Sequence, residues 1–244
     1  MDKLGSVAIV GAGDFIGSAI ARTFAAAGYQ VHGGRRNGDQ LQPLEAEIAA
    51  AGGSFTGHNL DARSEDAIAA FLDGANPPHA PLELVIFNIG ANVQCPLLDT
   101  SERVFRKVWE MACYAGFLTG RETARRLLVH GKGSIFFTGA TASVRGGEGY
   151  AAFASAKAGL RAAAQSMARE LSPQNIHVAH LIIDAGVDTA WVRERIGAAQ
   201  PGTDIPDGAL MDPASIAETY LMLHRQKRDA WTHELDLRPF GETW

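Results

Sequence analysis

Alternation constrains this chain more than any other feature of it. Short apolar runs of strand length are separated, from one end to the other, by stretches of helical length. Ser6–Val10, Gln30–Gly34, a weaker run near Ser54–Gly57, Leu84–Asn88, Ser134–Thr138, His177–Ile183 and Trp231–Leu237 read as strands. Leu84–Asn88 is apolar up to its last residue, as a strand buried on both faces must be. Ile16–Ala27, Asp39–Ala51, Ser64–Leu72, Ser101–Val129 and Ala151–Leu171 read as helices, with Ser64 as an N-cap and Ser172-Pro173 as a stop. Strand, helix, strand, repeated in this way, predicts an α/β fold: a doubly wound, mostly parallel sheet with helices on both faces, in one domain over residues 1–244. Gly197–Asp212, rich in Gly, Pro and Asp, is the one irregular region and is expected to be a mobile loop.

Such sheets bind ligands beyond the carboxyl ends of their strands. The first strand ends in Gly11-Ala12-Gly13-Asp14-Phe15-Ile16-Gly17. Glycines let the backbone turn sharply and come close to a pyrophosphate. The helix that follows then offers its free N–H groups and positive end to the phosphates. Gly11, Gly13, Phe15, Ile16 and Gly17 are the expected contacts. Asp14 would repel phosphate, so its expected role is to cap the helix.

An NAD site usually carries an acidic residue at the end of the second strand. Here the residues are Gly33-Gly34-Arg35-Arg36-Asn37. No acid is present, and a guanidinium can pair bidentately with a ribose 2′-phosphate. Arg35 and Arg36 therefore predict NADP(H), with NAD(H) second. Asp61, just after the third strand, either accepts a hydrogen bond from the adenine amino group or caps a turn.

The bulk numbers exclude several classes. The net charge is −5 with no long basic run, which argues against nucleic acid. Cys95 and Cys113 have no paired spacing that would suggest zinc, and a reduced intracellular setting is expected. The start of the chain reads as a strand and not as a signal peptide. No apolar stretch is long enough to cross a bilayer. These points predict a cytoplasmic protein with no membrane partner.

Four segments make the chain resemble the short-chain dehydrogenase/reductase family along nearly its whole length. Gly11…Gly17 resembles the family's TGxxxGxG turn, with Val10 for Thr and Phe15 for the middle Gly. Phe87-Asn88-Ile89-Gly90 looks like its NNAG strand end. Phe153-Ala154-Ser155-Ala156-Lys157 looks like its YxxxK helix. Asp184-Ala185-Gly186-Val187-Asp188-Thr189 looks like its PGxxxT turn. The resemblance implies a Rossmann-type sheet of about seven strands, a small-molecule substrate, and a homodimer or homotetramer.

It also implies an altered active site. The family's tyrosine acts as general acid or base, and a lysine four residues later lowers its pKa and binds the nicotinamide ribose. Lys157 is kept, but Phe153 stands at the tyrosine position. The serine position falls on Ala140 and the asparagine position on Ala112 or Cys113. The resemblance implies that Asn88 and Gly90 let the backbone pass close to the adenine-side ribose. It also places Val187 and Thr189 at the carboxamide end of the nicotinamide. Substitute proton carriers are Lys157, Thr141, Tyr150 and Asp184, the last if burial raises its pKa; each also has a plain structural role open to it. His180, within a buried strand, is expected to be a hydrogen-bonded core histidine and not a catalyst. Trp191, Val192 and Ile196, with Phe153 and Val93, suggest either an apolar pocket or core. Ala151–Leu171, smooth and Ala-rich, packs either on a second subunit or on its own sheet.

Two functions follow. The first is an NADP(H)-dependent oxidoreductase that interconverts carbonyl and alcohol on a small to medium apolar substrate, with a non-standard proton-transfer group. The second is a weak or inactive NADP(H)-binding protein that acts as a sensor or assembly partner.

Overall fold

The structure, a computed structural model, describes residues 4–199 and 204–242. Its first half runs β1 (Ser6–Val10), α1 (Ile16–Ala26), β2 (Gln30–Arg35), α2 (Gln42–Ala50), β3 (Ser54–Asn59), α3 (Glu65–Gly74) and β4 (Leu82–Phe87). The second half runs α4 (Glu102–Trp109), α5 (Ala115–His130), β5 (Gly133–Thr138), α6 (Ala151–Leu171), β6 (Ile176–Ile183), β7 (Gly186–Val187), α7 (Ala190–Ala199), β8 (Leu210–Met211), α8 (Pro213–His224) and β9 (Glu234–Leu237). Seven strands form one sheet in the order β3-β2-β1-β4-β5-β6-β9, all parallel. This is the Rossmann-type arrangement, and its order reverses between β1 and β4, where the crevice of such a sheet opens.

The period of two along each strand sorts the core into two layers. Val7 and Ile9 of β1 face one way and pack with Ile20 and Phe24 of α1 and with Ile216 and Tyr220 of α8. Ala8 and Val10 face the other way and pack with Ile68 and Leu72 of α3 and Leu160 of α6. All eight residues of β6 are buried, as its apolar run required.

Several boundaries differ from the sequence reading. Ser101–Val129 is not one regular helix: Glu110–Tyr114 form a π-helical turn between α4 and α5. A π turn adds one residue to the hydrogen-bonded ring, and apolar periodicity does not record it. The N-terminal part of Asp39–Ala51 is instead a 3₁₀ turn, Gly38–Leu41, and Pro43 lies in the first turn of α2, where its missing N–H costs no bond. Ser64 caps α3 as expected, accepting from the Ala67 amide at 3.3 Å. The last strand begins at Glu234 and not at Trp231, whose ring stacks on His177 at 4.8 Å. Much of Gly197–Asp212 is ordered: α7 runs through Gly197, and Leu210–Met211 pair with Gly186–Val187. Positions 200–203 of that stretch lie outside the described residues. α6 packs on its own sheet along one face, through Leu160, Ala164, Ala168 and Leu171.

Candidate active site

The turn after β1 is built as its glycines require. Gly11 adopts φ 97°, and a Cβ there would lie 2.9 Å from the Asn88 backbone. A Cβ on Gly17 would lie 2.7 Å from the Gly11 carbonyl oxygen. Gly13 and Gly90 differ, since a Cβ on either would meet nothing within 4 Å. The protein's own packing does not need glycine there, and the space above both opens into a cleft. The Ser18 amide donates to the Gly13 carbonyl at 2.9 Å and the Ala19 amide to the Phe15 carbonyl at 3.0 Å. The amides of residues 14–17 therefore lead α1, where a helix has no internal acceptors.

A chain of buried hydrogen bonds fixes this turn from behind. Asn88 donates from Nδ2 to the Gly11 carbonyl (3.1 Å). Thr138 Oγ1 donates to Asn88 Oδ1 (2.9 Å), so Tyr220 must donate to Thr138 (2.7 Å). Lys157, 2 % exposed, donates from Nζ to the carbonyls of Ile89 (3.0 Å) and Thr138 (2.8 Å). It thus ties the ends of β4 and β5 together. Burial lowers its pKa to about 8, because the ammonium is removed from water. An ammonium has three N–H groups, so one remains for the cleft that Lys157 lines.

The cleft has two connected parts. One, of about 770 Å³, is lined by the glycine turn, Lys157, Phe153, Tyr150, Val187 and Thr189. The other, of about 550 Å³, is lined by Arg35, Arg36, Asp61 and Arg63. They share Gly11, Gly13, Asn88, Ile89 and Gly90. The catalytic and cofactor-binding candidates are thus gathered along one groove, with one exception.

That exception is Asp184. It is fully buried and does not line the cleft. Arg145 (3.0 Å) and Arg238 (2.8 Å) flank its carboxylate. Burial alone would raise its pKa. The hydrogen bonds of Thr141 and Arg238 and the charges of both arginines outweigh this and hold it below the ordinary aspartate value. The condition on which Asp184 would carry a proton, a pKa raised by burial, is not met: a carboxylate braced by two guanidiniums stays ionised and makes a poor proton carrier. Thr141 lines the cleft, but its hydroxyl is engaged by Asp184. Tyr150 also lines the cleft, and its Oη accepts from Arg195 at 3.3 Å.

A second correction concerns Asp14. It does not cap α1: Phe15 is the capping residue, with no side-chain cap. The Asp14 carboxylate instead pairs with Arg35 at 2.7 Å. Asp61 accepts from Arg63 through both oxygens, at 2.9 and 2.6 Å, and from the Arg63 amide at 3.1 Å. That hydrogen bonding from Arg63 brings its pKa down to about 2. The turn role is thus realised while Asp61 still lines the groove.

The chain is similar to known proteins in sequence and fold. The family description "short chain dehydrogenase" fits residues 6–198. The chain belongs to the short chain dehydrogenase family. A short-chain dehydrogenase from Rhodopseudomonas palustris is similar in structure, with a TM-score of 0.83 and 57% identity, covering 97% of this chain and 99% of that one. A metagenomic short-chain oxidoreductase solved with NADP has a TM-score of 0.81 and 25% identity, covering 98% and 99% of the two chains. Among curated proteins, the 3-oxoacyl-[acyl-carrier-protein] reductase MabA of Mycobacterium tuberculosis is 29% identical over 217 residues, 87% of this chain and 82% of that protein.

In this short-chain dehydrogenase the surroundings of Phe153 are apolar. Phe153 packs with Val108, Ala112, Cys113, Ala142 and Ala156, and Lys157 Nζ lies 6.0 Å from its ring centre. Ala140 and Thr141 line the cleft beside it. Trp191 and Val192 line the same space, but Ile196 and Val93 do not. His180 is fully buried, 3.3 Å from Glu234, and burial lowers its pKa to about 4. The core reading of this histidine fits its burial, but neither ring nitrogen makes a hydrogen bond among the described residues. Sequence reasoning missed Arg145, Asn92 and Gly147, all of which line the cleft. Arg145 sits in Ser143-Val144-Arg145-Gly146-Gly147, a loop outside the four family-like segments. Among the described residues, no group of side chains could hold a metal ion, and no helix is long and apolar enough to cross a membrane.

Proposed function

We propose that this protein is an NADP(H)-dependent oxidoreductase acting on carbonyl or alcohol groups of apolar, small to medium substrates. One observation carries this reading: a single groove joins an arginine-lined pocket, an open glycine turn and a buried lysine. The residues present fit the cofactor. Gly13 and Gly90 leave room that no side chain fills, and the leading amides of α1 face it. Bound there, the nicotinamide supplies or accepts the hydride. Arg35 and Arg36 would pair with the 2′-phosphate, and the third N–H of Lys157 would hold a ribose hydroxyl. The Thr189 hydroxyl, which accepts from the Val192 amide at 3.1 Å, keeps its own proton to donate to the carboxamide.

Phe153 has no proton to give. Tyr150 is the best placed substitute among the candidates. Its oxygen accepts from Arg195, so its O–H stays free for a substrate oxygen. Lys157, with a pKa of about 8, is the reserve. The apolar cluster around Phe153 favours a second reading, a cofactor-binding protein with little or no turnover. The exposed small-residue face of α6 (Ser155, Ala158, Ala162, Ser166) supports a homodimer or homotetramer. The reading also includes a cytoplasmic location.

Calorimetric titration with NADPH and NADH, followed by a screen of ketones and aldehydes, tests the proposal. Arg35→Ala should weaken NADPH by on the order of tenfold or more and NADH far less. Equal loss for both would overturn the NADP assignment. Tight binding with no turnover on any substrate would favour the second reading.

A further inference from the structure

Asp184 is a costly residue to bury, because an ionised carboxylate leaves water only when its partners replace the lost solvation. It is 0% exposed, and its amide is tied to the Leu237 carbonyl at 2.9 Å. Arg238 approaches from behind, and Arg145 approaches from the cleft. Arg145 is 46% exposed and directs Nη2 and Nη1 at Asp184, at 3.0 and 3.4 Å. A guanidinium has five N–H donors, so three remain without a protein acceptor among the described residues.

Asp184 divides its single charge between two guanidiniums. Arg238 also pairs with Asp236, at 2.9 Å and 43% exposed, where water screens the contact. The larger part of the cleft carries Asp14, Arg145 and Lys157 as its charged lining residues among those described. Asp14 is engaged by Arg35, and Lys157 is buried with two carbonyls. Among the described residues that line this part of the cleft, Arg145 is the cation with donors to spare, set beside the apolar Phe153, Trp191 and Val192, while Arg195 lies further out on Tyr150 and Trp191.

We propose that Arg145 is an anion-recognition residue, and that the substrate carries a carboxylate on an apolar body. Asp184 is the positioning residue that aims the guanidinium. A single negative charge suits a guanidinium whose own charge is already shared with Asp184, and the free N–H groups can meet a carboxylate with two parallel hydrogen bonds. The proposal names a substrate class for the cleft described above and rests on that cleft being where substrate binds.

The test compares benzoylformate and longer aryl keto acids with their methyl esters, which keep the body and lose the charge. Turnover with NADPH is one readout. The other is calorimetric binding of aryl carboxylates and their esters, with and without NADP⁺, which needs no turnover. The acids should be favoured by on the order of tenfold. Arg145→Met should bring the acid-to-ester ratio near unity, chiefly through KM, and Arg145→Lys should restore part of it. Asp184→Asn should weaken acid binding while a smaller preference persists. Acids and esters bound equally by the unaltered protein, no binding of either, or an unchanged ratio in Arg145→Met would each overturn the assignment. Charge-selective binding without turnover would uphold the anion site while refuting the oxidoreductase reading.

Discussion

Asp14 and Arg35 stand 2.7 Å apart, one on the glycine turn proposed to seat phosphates and the other on the strand end proposed to choose the cofactor. A 2′-phosphate arriving at Arg35 meets a guanidinium already paired with a tethered carboxylate, and must displace it. Asp14 is 70% exposed in its side chain, so the pair is screened and weak. Asp14→Asn is therefore expected to tighten NADPH by about twofold to fivefold while NADH changes little. Weaker NADPH binding in the variant, read by calorimetry, would show that Asp14 aligns Arg35 instead of competing for it. The sequence displays both residues but not their pairing, since they lie on separate elements. Nothing in the linear order distinguishes an aspartate that caps a helix from one that reaches across to β2.

At the scale of elements, α6 and the end of β5 frame the proposed catalytic part of the cleft. α6 sets Phe153 and Lys157 one turn apart, on the same buried face. The 3₁₀ turn Thr141–Ser143 follows β5 and fixes Ala140 through a hydrogen bond from its amide to Ser143 Oγ at 3.1 Å. The π turn at Glu110–Tyr114 brings Ala112 and Cys113 against the same cluster. Restoring hydroxyls to this frame should restore chemistry: Phe153→Tyr with Ala140→Ser is expected to raise NADPH-dependent reduction of simple ketones by roughly a hundredfold or more. An absence of gain in a folded, NADPH-binding double variant would refute the placement of these two positions. The spacing of Phe153 and Lys157 was legible because a helix repeats locally. The π turn and the ion pairs of Asp184 were not, because each depends on contacts that form only once distant segments meet.

Across the whole molecule, burial of histidines links stability to pH. His32 and His180 are each lowered to about 4 by burial, and burial also lowers His58 and His177. The ordinary histidine value is 6.5, so the unfolded chain binds more protons than the folded one between about 6.5 and 4. The stability these neutral rings contribute is complete above that window and is lost as pH falls through it. Each tenfold drop in a ring's proton affinity on folding corresponds to about 1.4 kcal/mol. The urea midpoint is expected to fall steadily from pH 7 towards pH 4. A midpoint that stays flat over that range would contradict the burial of these rings.

The strand–helix alternation, the glycine turn and the lysine one turn after Phe153 follow from the sequence by itself. Each is encoded in neighbours a few residues apart: apolar periodicity, backbone freedom at glycine, and helical spacing. The tertiary structure decided which side chains meet. It took Asp14 from the helix cap to Arg35, withdrew Asp184 from the cleft into a cage of arginines, and brought Arg145 to the cleft wall. Those outcomes depend on charges tens of residues apart being brought within a few ångströms, and only the packed sheet and its loops fix such distances.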